Sequence, residues 1–469
     1  MLAHRRGFAL ARWVAVASLV GCTAPLTVDR LDDEPTASTC VEGVPDDCSL
    51  RGAILNANRT PGPVTITVPS GTYTLTLSGP GEDLGEVGDL DLTDSADVQG
   101  DPQAPPVIQA GFASGDRVLH VDPVGAGIVV NLEHLVVAGG SATASSAAGR
   151  GAGIANHGAV LTVVESRITA NHARVGGGIY NAGTLVLVGS RIEGNLADRN
   201  GGGLANGDGD ADVPGGEVVA EQSTFAGNRA NGAGSSVAIV GGGGILNAPG
   251  GQLTLDRTLV IENQLFGWMA SGGGLANQGE ASVIASTFLA NRVNVGSLAW
   301  TFWAFGGGIA NEGALAVENS TFSSNLVSNV QIPEQARGGA LHNTGTATLR
   351  HVTVEANSSG LGALTPIDVG NSLLADPCSE GVTSSGGNLE SAGHTCGLDE
   401  PSDRSDVADA GLGPLTSYDG VTAAYPLLSG SPAIDMATAS LCPAADQRGQ
   451  ARDDGHCDTG AFERRPGDP

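Results

Sequence analysis

The chain has no lysine; its 22 basic side chains are all arginine, set against 50 acids, for a formal net charge of −28 over 469 residues. An excess of negative charge this large repels phosphate backbones and anionic lipid, so no nucleic-acid partner is expected. Lysine is also missing as a guard on exposed strand edges. Aromatic residues are scarce, at 4%, so any place where rings gather stands out. Long apolar runs are absent except for Val14 to Val20, which is too short to span a bilayer as a mature helix. No Ser–His–Asp order, phosphate loop or HExxH motif stands out, so the common signs of hydrolase, nucleotide and metalloprotease chemistry are missing.

Glycine is plentiful, at 72 residues, and much of it lies in one recurring phrase. Gly-Gly-Gly-(Ile/Leu)-x-Asn occupies Gly176–Asn181, Gly201–Asn206, Gly242–Asn247, Gly272–Asn277 and Gly306–Asn311, with variants at Gly151–Asn156 and Gly338–Asn343. A second phrase, Ser/Thr-x-apolar-x-x-Asn, follows, as at Ser166–Asn171, Ser190–Asn195, Ser223–Asn228, Ser286–Asn291 and Ser320–Asn325. Between the two lie alternating apolar runs such as Thr184 to Val188, the period of a strand with one buried face. Gly and Asn are expected at sharp turns because both tolerate positive φ. A unit as short as Asn156 to Asn181 has no room for a strand, a helix and two loops. It fits one coil of a parallel β-helix. The repeat Asn side chains are then expected to bond along the axis as a ladder. Seven coils plus some less regular earlier ones make a rod of about 50 Å at the strand spacing of roughly 4.8 Å.

These phrases resemble the repeats of bacterial polymorphic outer-membrane proteins, through Phe225-Ala226-Gly227-Asn228, Phe288-Leu289-Ala290-Asn291 and Phe322-Ser323-Ser324-Asn325. Cys48-Ser49-Leu50-Arg51-Gly52-Ala53-Ile54 resembles the opening motif of CSLREA-domain proteins, with Gly52 where that motif has Glu. The tail, with Ser431 to Asp435, Asp446 to Gly449 and Cys457 to Glu463, resembles the region that closes choice-of-anchor chains. The resemblance implies an all-β, right-handed parallel β-helix of the pectin-lyase-like kind. It carries no agreed catalytic residues. It also accounts for Arg117 and His120, in Asp116-Arg117-Val118-Leu119-His120, as a feature of the first coils.

Residues 1–21 read as a lipoprotein signal: His4, Arg5 and Arg6 start it, and Leu19-Val20-Gly21-Cys22 matches a lipobox with Cys22 as the acylated residue. Arg5-Arg6-Gly7-Phe8 also resembles a twin-arginine export motif. Removal of the signal leaves 19 arginines against 50 acids, a net of −31. The expected partner of this end is a membrane, reached through the N-terminal lipid. Thr23 lacks the inner-membrane Asp signal, so the family resemblance favours the outer membrane or cell surface. Residues 22–45 read as acylated cysteine and flexible tether, 46–375 as the β-helix, and 376–469 as a C-terminal capping region over the far end. No C-terminal apolar anchor follows. Leu50, Ala53, Ile54 and Ala57 share one face of a short capping helix, with Asp47 or Ser49 as its N-cap. Beyond Cys22, six cysteines form three sequence-near pairs: Cys40/Cys48, Cys378/Cys396 and Cys442/Cys457. Six allow many pairings; neighbours are the simplest for an exported chain, with thiol–metal binding as the alternative.

Three places carry candidate chemistry. Phe266, Trp268, Trp300, Phe302, Trp303 and Phe305 lie in two insertions just before the glycines of adjacent coils. They form either a ligand-binding shelf for a glycan or a surface protein, or a pair of loops folded over the rod's flank. Asn206, Asp208, Asp210, Asp212 and Glu217 have the alternation of a calcium loop but Ala211 at the glycine position; they form either a Ca²⁺ site or a solvated acidic loop. No other cofactor is indicated. Catalysis is the third. Glu165, Glu221, Asp256 and Glu318 fall at shifting places, with no column of acids expected, and His157, His172 and His342 read as surface residues at turns. The favoured reading is a non-enzymatic, monomeric, adhesin-like binding rod. A polysaccharide lyase or glycosidase, and a structural envelope component, are the alternatives.

Overall fold

The computed structural model describes residues 24–468, apart from 112–114, 210–212, 233–239, 268–269, 296–302, 330–334, 380, 419–421 and 454. The sheets are parallel and coil-to-coil, as a β-helix requires. Among the described residues the one antiparallel pair of strands, Thr416–Ser417 with Ala423–Ala424, lies in the tail.

A regular coil contributes four strands. In one coil these are Ile154–Asn156, Val160–Val164, Arg167–Thr169 and His172–Val175. Their stacked equivalents build a glycine sheet of ten strands, a broad sheet of 13, a narrow sheet of 13 and an edge sheet of seven; a short four-stranded sheet adjoins the last. Ile154, Ile179, Leu204, Ile245, Leu275, Ile309 and Leu341 form one unbroken interior file on the glycine sheet, and all are fully buried. A second file runs Ile168, Ile192, Phe225, Val260, Phe288, Phe322 and Val354 on the narrow sheet. Phe288 and Phe322 stack there at 5.2 Å. The strand alternation read from sequence therefore points its aliphatic side into one continuous core.

Two corners are closed by amide ladders. The Nδ2 of Asn156 donates to Asn181 Oδ1, and the chain continues through Asn206, Asn247, Asn277, Asn311 and Asn343 at 2.7–2.9 Å. The second ladder runs Asn171, Asn195, Asn228, Asn263, Asn291, Asn325 and Asn357 at 2.8–3.1 Å. The repeat Asn residues do not supply the positive φ expected of them. In the second ladder the preceding residue does, as at Ala170, Ala290 and Ser324 (φ 55°, 54° and 57°), which leaves the Asn there free to use its side chain. The first glycine of each triplet is also left-handed, as at Gly242 (φ 73°). The second glycine has another reason: a Cβ on Gly243 would stand 2.4 Å from Gly273 O in the next coil.

The ends differ from the sequence reading. Of the expected tether, residues 22–45, the described part from 24 is no free linker, since Leu26–Thr27 pairs in parallel with Ile66 and Thr67, and Val28 is buried. Asp33 makes a 2.6 Å ion pair with Arg51 in which both side chains are fully buried. The helix, Leu50–Arg59, is capped by Ser49, whose hydroxyl accepts from Gly52 N. The coils also run past 375: Val382–Ser384 extends the broad sheet, and Leu389–Ser391 and Arg404–Val407 extend the narrow one. The tail then folds back along the narrow sheet instead of only covering its end. Gln447 bonds to Thr287 and Thr321, and Tyr425 Oη meets Ser323 Oγ at 2.7 Å. These outward Thr and Ser side chains draw it back because they offer hydrogen bonds that apolar residues would not. Disulfides join Cys40–Cys48, Cys378–Cys396 and Cys442–Cys457.

Asn263 tests the ladder. Its side chain donates to Phe225 O and Asn291 Oδ1 and accepts from the backbone and amide N–H groups of Asn228. At roughly 1 kcal/mol net for each bond, plus the cost of orphaned partners, Asn263→Leu is expected to lose about 3–5 kcal/mol. Urea unfolding followed by circular dichroism checks this against Glu280→Ala, an exposed strand control that should move stability by less than about 0.5 kcal/mol.

Candidate functional site

In every three-residue strand of the glycine sheet the middle side chain points away from the core. Register aligns these as Asp91, His120, Ala155, Tyr180, Ala205, Leu246, Ala276, Ala310 and His342. Outward residues are ordinarily exposed, yet all of these are at most 4% exposed. The left-handed glycine folds the strand before it up beside this sheet, which makes the outer face concave. Val175, Tyr180, Ala205, Leu246 and Ala276 form a separate apolar cluster in that concavity. The face changes character from end to end: charged in the first coils, apolar in the middle, aromatic and polar in the last.

The aromatic end holds part of the expected shelf. Phe305 stacks between Trp303 (5.7 Å) and His342 (4.2 Å), with the rings nearly parallel. Arg337 lies over Trp303 at 5.5 Å. Beside the stack is an open cavity of about 100 Å³, whose lining includes Phe305, His342, Ser271, Asn311, Glu312 and Thr344. Phe266 sits apart, on the edge sheet under the Arg229 guanidinium at 4.2 Å. Trp268, Trp300 and Phe302 lie outside the described residues. His342 is no surface residue; it is 3% exposed, and neither ring nitrogen completes a hydrogen bond among the described residues. Burial, then the nearby Arg337 cation, lowers its pKa to about 4.

The charged end was not singled out by the sequence as a site. Arg51, from the Cys-Ser-Leu-Arg motif, donates to the carbonyls of Gly85, Gly88 and Asp89 and so fixes the loop leading into the strand Leu90–Leu92. Gly88 is needed there: its φ is 74°, and a Cβ would reach within 2.6 Å of Asp116 Oδ2. The loop sets Asp89 2.9 Å from Arg117 Nε. Asp91 Oδ1 lies 3.0 Å from His120 Nδ1, with Asp83 Oδ1 at 3.5 Å from the same nitrogen. His120 Nε2 faces His157 Nδ1 at 2.6 Å. Burial raises the pKa of Asp89, with Asp91 adding to it, and burial then Glu82 raises that of Asp91; Arg117 pulls both the other way. Burial lowers His120 and His157 to about 3, helped by Arg117 and by His120 respectively. His157 is therefore half-buried and neutral, not a surface turn residue; His172 is half-buried too, with the more open side chain, 2.7 Å from Asp198.

No family model matches the chain, and no curated protein matches its sequence. Among solved structures it is similar to the crystal structure of pectate lyase Pel9A. That match has 16% identity over 95% of this chain and 98% of that chain, and a TM-score of 0.45. It is also similar to the Dettilon tailspike protein gp208, at 11% identity over 76% of this chain and 64% of that chain, with a TM-score of 0.34. No residue role is carried over from either protein.

The other expected sites come apart. Asn206 spends its amide in the first ladder, Asp208 pairs with Arg150 at 2.9 Å, and Glu217 is exposed at the start of a broad-sheet strand. The described members of the acidic loop thus serve three separate surroundings; Asp210 and Asp212 lie outside the described residues, as does Cys22. The acids correct the sequence reading in one respect. Glu221, Asp256 and Glu318 do share a column, at the last position of the broad-sheet strands, with Ile284 between the latter two. Insertions of different length shift their spacing along the chain while the strand register holds.

His342 makes the acid side of stability measurable. Folded, it takes its proton only near pH 4; unfolded, near 6.5. The unfolded chain therefore binds the extra proton between these values, and stability falls as pH drops through that window. At about 1.4 kcal/mol per unit, His342→Phe should remove on the order of 3 kcal/mol of the loss between pH 7 and pH 4.5, read as urea midpoints at both pH values. Equal losses in wild type and variant would refute the burial assignment.

Proposed function

We propose that this protein is a surface-held binding rod whose concave face takes an extended, uncharged glycan, with its main contact at Phe305. The observation that carries the reading is the stack of Trp303, Phe305 and His342 beside a cavity edged by Ser271, Glu312 and Thr344. Sugar rings need an apolar surface for their C–H faces and hydrogen-bonding groups for their hydroxyls. His342 extends the apolar stack by its ring face, 4.2 Å from Phe305. The net charge repels polyuronates, so a neutral chain is the favoured partner. The lipid on Cys22 would hold the rod at the outer membrane or cell surface.

A polysaccharide-cleaving enzyme is the second reading, and the Asp–His cluster of the first coils favours it. Against it, Asp89 and Asp91 are at most 1% exposed, too enclosed to touch a polymer directly.

The test is binding of purified chain to a panel of neutral and uronic polysaccharides. A double Trp303→Ala, Phe305→Ala variant should lose affinity at least tenfold, or about 1.4 kcal/mol. Phe266→Ala, away from the cavity, should bind as wild type does. Release of new reducing or unsaturated ends would favour the enzyme. Undiminished binding by the double variant would remove Phe305 from the contact.

A further inference from the structure

We propose that Asp83, Asp91 and His120 form a binding site for a first-row transition dication at the charged end of the concave face. One ligand atom from each of the three residues lies within 4.8 Å of the other two. The two measured edges, 3.0 Å and 3.5 Å from His120 Nδ1, match adjacent ligands around an ion with bonds of about 2.1 Å. Right-angled ligands at that distance stand about 3.0 Å apart, and tetrahedral ones about 3.4 Å.

An independent observation concerns the buried atoms. Asp91 and His120 are 0% and 3% exposed. Among the described residues neither oxygen of Asp91 accepts a hydrogen bond of good geometry, the Gly85 N–H being its backbone neighbour, and His120 Nδ1 has none either, although two carboxylates lie 3.0 Å and 3.5 Å from it. When His120 Nε2–H donates to His157 Nδ1 across the 2.6 Å contact, Nδ1 carries a lone pair. Two buried lone-pair atoms, of Asp91 and His120, then face one another with the exposed Asp83 carboxylate at their edge. A cation between them turns that repulsion into coordination, whereas leaving them bare costs several kcal/mol. Charge points the same way. Asp83, Asp89, Asp91 and Asp116 surround one guanidinium, Arg117, which is engaged with Asp89 and Asp116.

The donor set selects the ion. Calcium and magnesium take all-oxygen shells; an imidazole nitrogen with two carboxylates suits zinc, manganese, cobalt or nickel. The Asp83 side chain is 56% exposed, so the ion would keep at least one coordination position open to solvent. The site lies apart from the Phe305 stack and is tested without any glycan.

The test uses the full, oxidised chain, stripped of metal and dialysed against Zn²⁺ and, separately, Co²⁺. One equivalent is expected, with a Co²⁺ absorption spectrum of mixed N/O coordination. His120→Gln and Asp83→Asn should each weaken binding at least tenfold. Asp83→Asn is the guard against misfolding, since its exposed carboxylate can change with little effect on the metal-free melting temperature. The joint variant Cys442→Ser, Cys457→Ser should keep the full equivalent, because His351 with those sulfurs is the other cluster of compatible geometry among the described residues. No binding by wild type would mean that a proton bridges Asp91 and His120, and would overturn the proposal. So would binding that survives Asp83→Asn and His120→Gln, or that vanishes with the cysteines.

Discussion

A coil of this protein cannot close its own corners. The amide of Asn228 finds its acceptor in Asn263 of the following coil, and Asn263 finds its own in Asn291. Each Asn also donates backward, as Asn263 does to Phe225 O. The side chain therefore ties three successive coils, and the links from Asn171 to Asn325 are buried. In that dry setting an unmade bond costs more than a made one contributes, so the ladder acts less as glue than as a test of register. A coil that slips by one residue turns its aliphatic side outward and strands its Asn at the same time. Hydroxyls repeat the device at the next corner. Ser166 N donates to Ser190 Oγ, Ser190 N to Ser223 Oγ, and Ser286 N to Ser320 Oγ.

Rigid register has a consequence for function. Once inward positions are committed to aliphatic files and corners to Asn and Ser, the middle residue of each glycine-sheet strand can vary, and it faces outward. The left-handed glycine before it makes that outward face a concavity. Variation along one column then writes chemistry along one groove: Asp91 and His120, then Tyr180 and Leu246, then His342. The scaffold supplies the spacing, and substitutions at one position per coil supply the site.

The architecture was legible because it is periodic. Ile179, Leu204, Ile245 and Leu275 recur in phase with the glycines, and the strands follow. The helix was readable from the spacing of Leu50, Ala53, Ile54 and Ala57. Irregular parts were hidden for physical reasons. Val28 and Asp33 lie in a stretch of Asp, Pro and Thr that reads as linker, yet Asp33 is held by Arg51, far along the chain, and no local pattern reports such a pair. The tail's return along the narrow sheet depends on Thr287, Thr321 and Thr353, whose outward hydroxyls resemble ordinary surface residues until a partner lies on them. The acid column of Glu221, Asp256 and Glu318 was hidden by loops of unequal length. For the charged site the sequence held a signal that passed as structural: Arg117 and His120 were explained by resemblance, and Asp89 and Asp91 sat in a run of glycines and acids. Asp91-to-His120 register becomes visible only once Leu90 is laid on Leu119.

Charge sits where the rod can shelter it. The interior coils close their corners with neutral amides and hydroxyls, which can bond to identical copies of themselves indefinitely. A carboxylate cannot join such a series, because its neighbour in the next coil would be another acceptor. At Asn357 the ladder ends on a carboxylate, Asp376 Oδ2, which accepts its amide at 2.7 Å and passes nothing on. The first coils solve the same problem differently. There an added loop, pinned by Arg51, covers Asp89 and Asp91, and Arg117 neutralises part of their charge. The buried acids of the first coils therefore stand where identical side chains no longer stack, and a pinned loop and one guanidinium take over the work of the ladder.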